Sequence, residues 1–279
     1  MTEISKTDRF AISTWSLHRA LGSTRPYRPG DQGESRLQPT YGEGTVDIID
    51  LPAALRDHGI SRVEICSFHL PALSPSYLAE LSDAFAQSDV RVQTLLVEEG
   101  DLSDADTAER DAAWMASWIP IAAALKADNM RVIAGKSQPT EDALARAEGH
   151  LRWLAQQTEG TGIRVVVENW FALLPGAREV NRLLGALEGK VGLNGDFGNW
   201  TGSGKYDELS RIMGKAELCH AKAHYGSEGM DAQDYRRCVQ LSEAAGYKGN
   251  YTLIYDSEFY ANEWSGIVEE RKAIERILG

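Results

Sequence analysis

Short runs of β-branched and aromatic residues recur along the chain, separated by longer stretches whose apolar positions follow a helical period. The runs Arg9–Ser16, Arg62–Phe68, Arg91–Val97, Met130–Ala134, Arg164–Trp170, Val191–Phe197, Glu217–His224 and Tyr251–Asp256 predict eight strands. The stretches Val46–His58, Ser74–Gln87, Asp104–Lys126, Thr140–Thr158, Ala177–Leu187, Tyr206–Met213, Ala232–Ala245 and Glu263–Leu278 predict eight helices. Thr140 is followed at once by Glu141 and Asp142, which suits a helix N-terminus. Strands alternating with helices imply parallel crossovers. An open doubly wound sheet would satisfy the same alternation. The units run the whole chain without a linker, however, and no Gly-x-Gly-x-x-Gly opens the first helix. The expectation is therefore an α/β fold, a single (β/α)₈ barrel domain over residues 1–279. The one long irregular stretch, Leu21–Thr45, is rich in Gly, Pro and Arg. It reads either as a surface loop or as a lid, because βα loops build the functional face of such a barrel.

Chemistry in this architecture sits at the C-terminal ends of the strands. Glu168 directly follows three valines, at a place where an apolar side chain would normally pack, so its burial needs a metal or a hydrogen-bonding partner. The sixth run supplies Asn194 and Asp196, then Asn199 and Trp200. The seventh supplies His220, Lys222 and His224, spaced by two and expected to face one side. Singly, each has a plain explanation: a salt-bridged carboxylate, a satisfied core histidine, a neutralising lysine. Glu168, Asp196 and His220 at corresponding depth on three consecutive strands are harder to explain that way. This O/O/N set suits Mn²⁺, Mg²⁺, Co²⁺ or Zn²⁺. Trp15, His18, Glu64, His69, Glu98, Glu99, Asn169, Trp170 and Asn199 are candidate lining residues. The aromatic ones either pack in the core or offer flat faces to a sugar.

Composition narrows the partners. Of 279 residues, 43% are hydrophobic and the formal net charge is −12, a surface that repels phosphate backbones and makes nucleic acid an unlikely partner. Three cysteines, Cys66, Cys219 and Cys238, form no paired motif and fit a reducing cytoplasm. The opening residues MTEISK show no signal pattern, and no apolar run is long enough to span a membrane.

The segments VVVENW (165–170), GDFGNW (195–200), HAKAHYGSEG (220–229) and GYKGNYTLIYD (246–256) resemble the xylose isomerase-like TIM barrels, the sugar phosphate isomerase/epimerase group. The resemblance implies that Glu168, Asp196 and His220 bind a divalent metal. The family also places a second metal-binding Glu at the end of the eighth strand, which falls here on Ile254. Asp256 is the expected substitute, with Glu258 as another. The resemblance further implies proton transfer next to a carbonyl, with Glu168 as one base and Lys222 or His224 as the other acid or base.

The leading expectation is thus a metal-dependent isomerase or epimerase of a keto or aldehydo sugar or related polyol. A lyase acting on the same kind of keto sugar is the first alternative, and a non-catalytic sugar-binding barrel that lost a ligand is the second. A homo-oligomer is expected only from the family.

Overall fold

The computed structural model describes residues 9–31 and 35–279. The opening MTEISK segment and part of the 21–45 stretch lie outside them.

Eight parallel strands close into a barrel. They are β1 (Phe10–Ser13), β2 (Arg62–Cys66), β3 (Arg91–Leu96), β4 (Asn129–Arg131), β5 (Arg164–Glu168), β6 (Gly192–Asp196), β7 (Leu218–Lys222) and, after a small β8–β9 hairpin (Tyr225–Gly226 and Gly229–Met230), β10 (Tyr251–Ile254). β1 pairs with both β2 and β10, which seals the ring. The helices are α1 (His18–Leu21), α2 (Leu51–Asp57), α3 (Pro75–Gln87), α4 (Ala108–Ala116), α5 (Ile119–Ala124), α6 (Glu141–Gln157), α7 (Ala177–Leu187), α8 (Lys205–Ser210), α9 (Ala232–Ala244) and α10 (Glu263–Leu278). Strands covered on both faces read as continuous apolar runs. Accordingly Val165, Val166 and Val167 are all buried, although they alternate between the barrel interior and the helix layer.

Local chemistry explains where elements stop. The predicted 104–126 helix is two helices. Pro120 lacks an N–H, and its ring would collide with the carbonyl of Ala116, where α4 ends. α6 starts as expected, with the Thr140 side chain accepting from the Ala143 amide. β1 is shorter than its apolar run, because Ser13 caps the turn that follows by accepting from the Trp15 amide at 3.1 Å. β7 ends at Lys222, and the chain then turns into the hairpin, with the Asp231 amide bonded to the His224 carbonyl. The alternation expected through His224 therefore stops two residues early.

The irregular stretch after β1 is pinned at several points. Thr24 bridges Gln38, Arg25 donates to the carbonyls of Ser35 and Pro71, and Tyr41 stacks on His18 at 4.3 Å. At the other end of the ring, Tyr255 follows β10 and ties it to neighbouring elements. Its amide donates to Ser16 Oγ at 2.9 Å, and its hydroxyl accepts from the Tyr260 amide at 2.8 Å. α10 lies directly on this ring at Gly266, where a Cβ would run into it.

Overpacking at such a contact costs about 1–3 kcal/mol. Gly266→Ala is therefore expected to lower the urea midpoint by that amount of stability without changing the slope, as read by equilibrium unfolding. An unchanged midpoint would show that the α10 contact is looser than described.

Candidate metal centre

Three side chains converge where β5, β6 and β7 end. Glu168, Asp196 and His220 are all buried, and one ligand atom from each lies within 4.8 Å of the other two. The ladder explains the convergence, since Asp196 pairs with His220 and Glu168 pairs with Asn194 in register.

Each of the three is oriented by its neighbours. His220 Nε2 lies 2.6 Å from Glu64 Oε2. Glu64, on β2, has no exposed surface; Gln93 and Thr94 donate to its other oxygen at 3.0 and 3.1 Å. Burial pushes the Glu64 carboxyl up, but His220, Gln93 and Thr94 together hold it below its ordinary range. Glu64 is thus an acceptor, and Nε2 carries the proton. That leaves Nδ1 facing Glu168 Oε2 at 3.5 Å and Asp196 Oδ2 at 3.7 Å. Asp196 Oδ1 accepts from the amides of Gly198 and Asn199 at 2.6 and 2.7 Å, which turns Oδ2 toward His220. Glu168 accepts from Asn199 Nδ2 at 2.6 Å and Asn194 Nδ2 at 3.3 Å, and Arg131 Nε lies 3.3 Å away.

These contacts supply a test of metal fit. Two carboxylate oxygens and an imidazole nitrogen, each fixed from behind, face a common point at separations too long for ordinary hydrogen bonds. Lone pairs gathered in this way repel one another unless a proton or a cation lies among them. Burial pulls the His220 pKa down, but Glu168 and Glu64 raise it well above the usual value, so a proton fills the role when no metal is bound. For Glu168, burial is outweighed by His220 and Arg131, and its pKa falls to about 2. The donor set fits a divalent cation held by oxygen and nitrogen. Glu64 behind His220 is the carboxylate–histidine arrangement that orients a metal-binding ring.

A cavity opens beside this cluster. Among the candidates named from sequence, Trp15, Glu98, Glu168, Trp170, Asp196, Asn199, His220 and Lys222 line it, as do Arg131 and Ile254. The other candidates stand elsewhere. Glu64 lies one layer below, sealed behind His220. Asn169 is buried and clamps β5 to β6, donating to the Asp196 carbonyl and accepting from the Asp196 amide. His69 is 3% exposed and bonded to Thr14 and His18; burial, helped by His18, lowers its pKa well below the usual value. His18 sits on the adjoining rim against Tyr41, its pKa lowered to about 4 by burial. His224 lies beyond the strand and off the cavity wall.

The expected fourth ligand is also displaced. Asp256 is outside the metal cluster and bonded to Lys222 Nζ at 2.6 Å. Burial opposes ionisation of both partners, but their mutual bond lowers the pKa of Asp256 and raises that of Lys222. Glu258 lies with Asp256, His18 and Tyr41 around a separate hollow on the rim. Ile254, where the resemblance leads one to expect a glutamate, lines the cavity as an apolar side chain.

Arg131 is the residue that sequence reading missed. It is 3% exposed, lines the cavity, and sits between Glu98 at 2.6 Å and Glu168. Its guanidinium also lies 5.3 Å from the Trp170 ring centroid. The signal was an arginine inside a short apolar strand run, the same anomaly that singled out Glu168.

The profile of the xylose isomerase-like TIM barrel family matches residues 52–263, and the chain belongs to that family. Among solved structures, a xylose isomerase-like TIM barrel protein from Mycobacterium smegmatis in complex with magnesium superposes with a TM-score of 0.70 at 14% identity, covering 100% of both chains. An L-ribulose 3-epimerase gives a TM-score of 0.70 at 16% identity, covering 97% of this chain and 95% of that one. The probable 3-DHS dehydratase of petrobactin synthesis from Bacillus anthracis gives a TM-score of 0.68 at 12% identity, covering 96% and 98%. At these identities the likeness is one of fold. No curated protein matches the chain by sequence. Among the described residues, no helix is long and apolar enough to cross a membrane.

Removing the carboxylate behind a metal-binding histidine typically weakens metal affinity 10–100-fold. Glu64→Gln is therefore expected to weaken Mn²⁺ binding by about that factor in a calorimetric titration, with the fold intact by circular dichroism. Wild-type affinity in the variant would remove Glu64 from the account. Binding should also release protons, because the cation replaces the His220 proton, and so should weaken as pH falls. Titrations in two buffers of different ionisation enthalpy measure that release; equal heats would contradict it.

Proposed function

We propose that the protein is a divalent-metal-dependent isomerase or epimerase of a keto or aldehydo sugar, or a related polyol, working by proton transfer next to a carbonyl. The observation that carries this reading is the convergence of Glu168, Asp196 and His220 Nδ1 on one point at the wall of a cavity. Glu168, Asp196 and His220 would hold the ion, which supplies electrophilic polarisation of a carbonyl and makes the neighbouring C–H acidic.

The remaining groups suit distinct tasks. Glu168, with a pKa near 2, two amide donors and the Arg131 charge beside it, is a poor base at neutral pH and a good ligand. Lys222, kept protonated by Asp256, holds a positive charge and a proton at the cavity wall. Trp15 and Trp170 offer aromatic surface at the cavity. Within the described part of the 21–45 stretch, Arg25 bonds to Pro71 and Tyr41 stacks on His18 at the rim, and this part reads as a lid. The names of the epimerase and the dehydratase among the similar folds are compatible with this chemistry.

A second reading has its own support. With Ile254 in place of a carboxylate, an ammonium group is better placed than a second base, and Lys222 could protonate a departing oxygen. That describes a lyase on a keto sugar. Loss of an oxygen substituent from the product separates it from isomerisation.

The direct test is Glu168→Gln. We expect wild-type protein to retain a divalent ion on gentle purification and to melt higher with added Mn²⁺. The variant should lose both the ion and turnover. Full activity in the variant would sink the mechanism. A wild-type protein indifferent to Mn²⁺ would favour a non-catalytic sugar-binding barrel.

A further inference from the structure

The cavity wall carries a charge pair that the metal set does not use. Glu98 follows the end of β3 and Arg131 ends β4, neighbouring strands of the ring. Their side chains are 6% and 3% exposed, and Arg131 Nη2 donates to Glu98 Oε1 at 2.6 Å. Both line the cavity with Lys222 and Ile254. The pair is incompletely bonded. Glu98 Oε2 and Arg131 Nη1 are buried without a hydrogen-bond partner, as is Arg131 Nε, whose contact with Glu168 is ionic only. A buried ion pair that serves stability alone needs its remaining lone pairs and protons satisfied. Here an acceptor and a donor without hydrogen-bond partners belong to two bonded side chains that both line the cavity. A hydroxyl-bearing carbon next to a carbonyl meets both, offering a proton to one and an oxygen to the other.

Resting on the isomerase or epimerase reading, we propose that Glu98 is the catalytic base, in place of the carboxylate missing at Ile254. Arg131 holds Glu98 and receives the substrate oxygen. Glu98 Oε2 takes the proton from the carbon next to the carbonyl. The C–H electron pair becomes the C=C bond of an enediolate, and the carbonyl π pair moves onto the oxygen beside Arg131 Nη1. Glu98 then returns the proton to the former carbonyl carbon while the neighbouring hydroxyl passes its proton to the charged oxygen and becomes the new carbonyl, which completes an aldose–ketose isomerisation. For epimerisation the proton comes instead from Lys222, and solvent restores both residues. β3 and β7 are four places apart on the eight-strand ring, so Glu98 and Lys222 address the cavity from opposite sides.

The test uses Mn²⁺-loaded protein in D₂O with D-fructose and L-ribulose as probes, following deuterium next to the carbonyl by NMR. Wild type is expected to exchange. Glu98→Gln, whose amide oxygen still accepts from Arg131, is expected to exchange about 10²–10⁴-fold more slowly. It should bind Mn²⁺ with wild-type stoichiometry, and Glu98→Asp should recover part of the rate. Wild-type exchange in Glu98→Gln would overturn the assignment and leave the metal reading standing. Loss of Mn²⁺ binding in both variants together with exchange would make Glu98 structural, which also overturns it. Absence of exchange in wild type with both sugars would bring down the isomerase or epimerase reading, and this assignment with it.

Discussion

The hydrogen bond between Glu64 and His220 is the contact on which the rest of the site depends. It spans the barrel interior, from β2 to β7, with Glu64 fully buried and only the far side of His220 meeting the cavity. Because Glu64 is an acceptor, the bond fixes which imidazole nitrogen carries a proton and therefore which one faces Glu168 and Asp196. Rotating or neutralising that ring would leave two carboxylates opposed across a dry interior. The desolvation cost of such a pair is what makes either a proton or a divalent cation obligatory there.

The same constraint extends outward. Four buried carboxylates, Glu64, Glu98, Glu168 and Asp196, share the strand ends with Arg131 and His220. Positive charge is short by two even with His220 protonated, and a divalent cation reduces the deficit. Ile254 on β10 carries no charge, and Arg131 on β4 carries a positive one beside Glu98, so charge gathers on the ring at β3 and β4. Lys222 and Asp256 neutralise each other at the mouth and stay out of the point where Glu168, Asp196 and His220 converge.

Much of this was legible in the sequence. Eight alternating units gave the barrel, because parallel crossovers impose both a period and a length on the pattern. Glu168 stood out as a charge after three valines, and two-residue spacing put His220 and Lys222 on one face. What the sequence hid was depth and partnership. Glu64 and Asn169 looked like wall residues, but they orient ligands from one layer below. Alternation predicted His224 inward, but a hairpin that begins after Lys222 carries it away. Asp256 looked like a free carboxylate until its bond to Lys222 was visible. Arg131 was overlooked because one charge in a short strand run resembles a strand end, and only the ring closure brings Glu98 and Glu168 to it.

The most direct test of the central claim is an anomalous-scattering map from a crystal grown with Mn²⁺. The account predicts one peak per chain in coordinating contact with Glu168, Asp196 Oδ2 and His220 Nδ1, with Nε2 still bonded to Glu64. A peak bound through Asp256 or through Nε2, or no peak among these three side chains at saturating Mn²⁺, would contradict it.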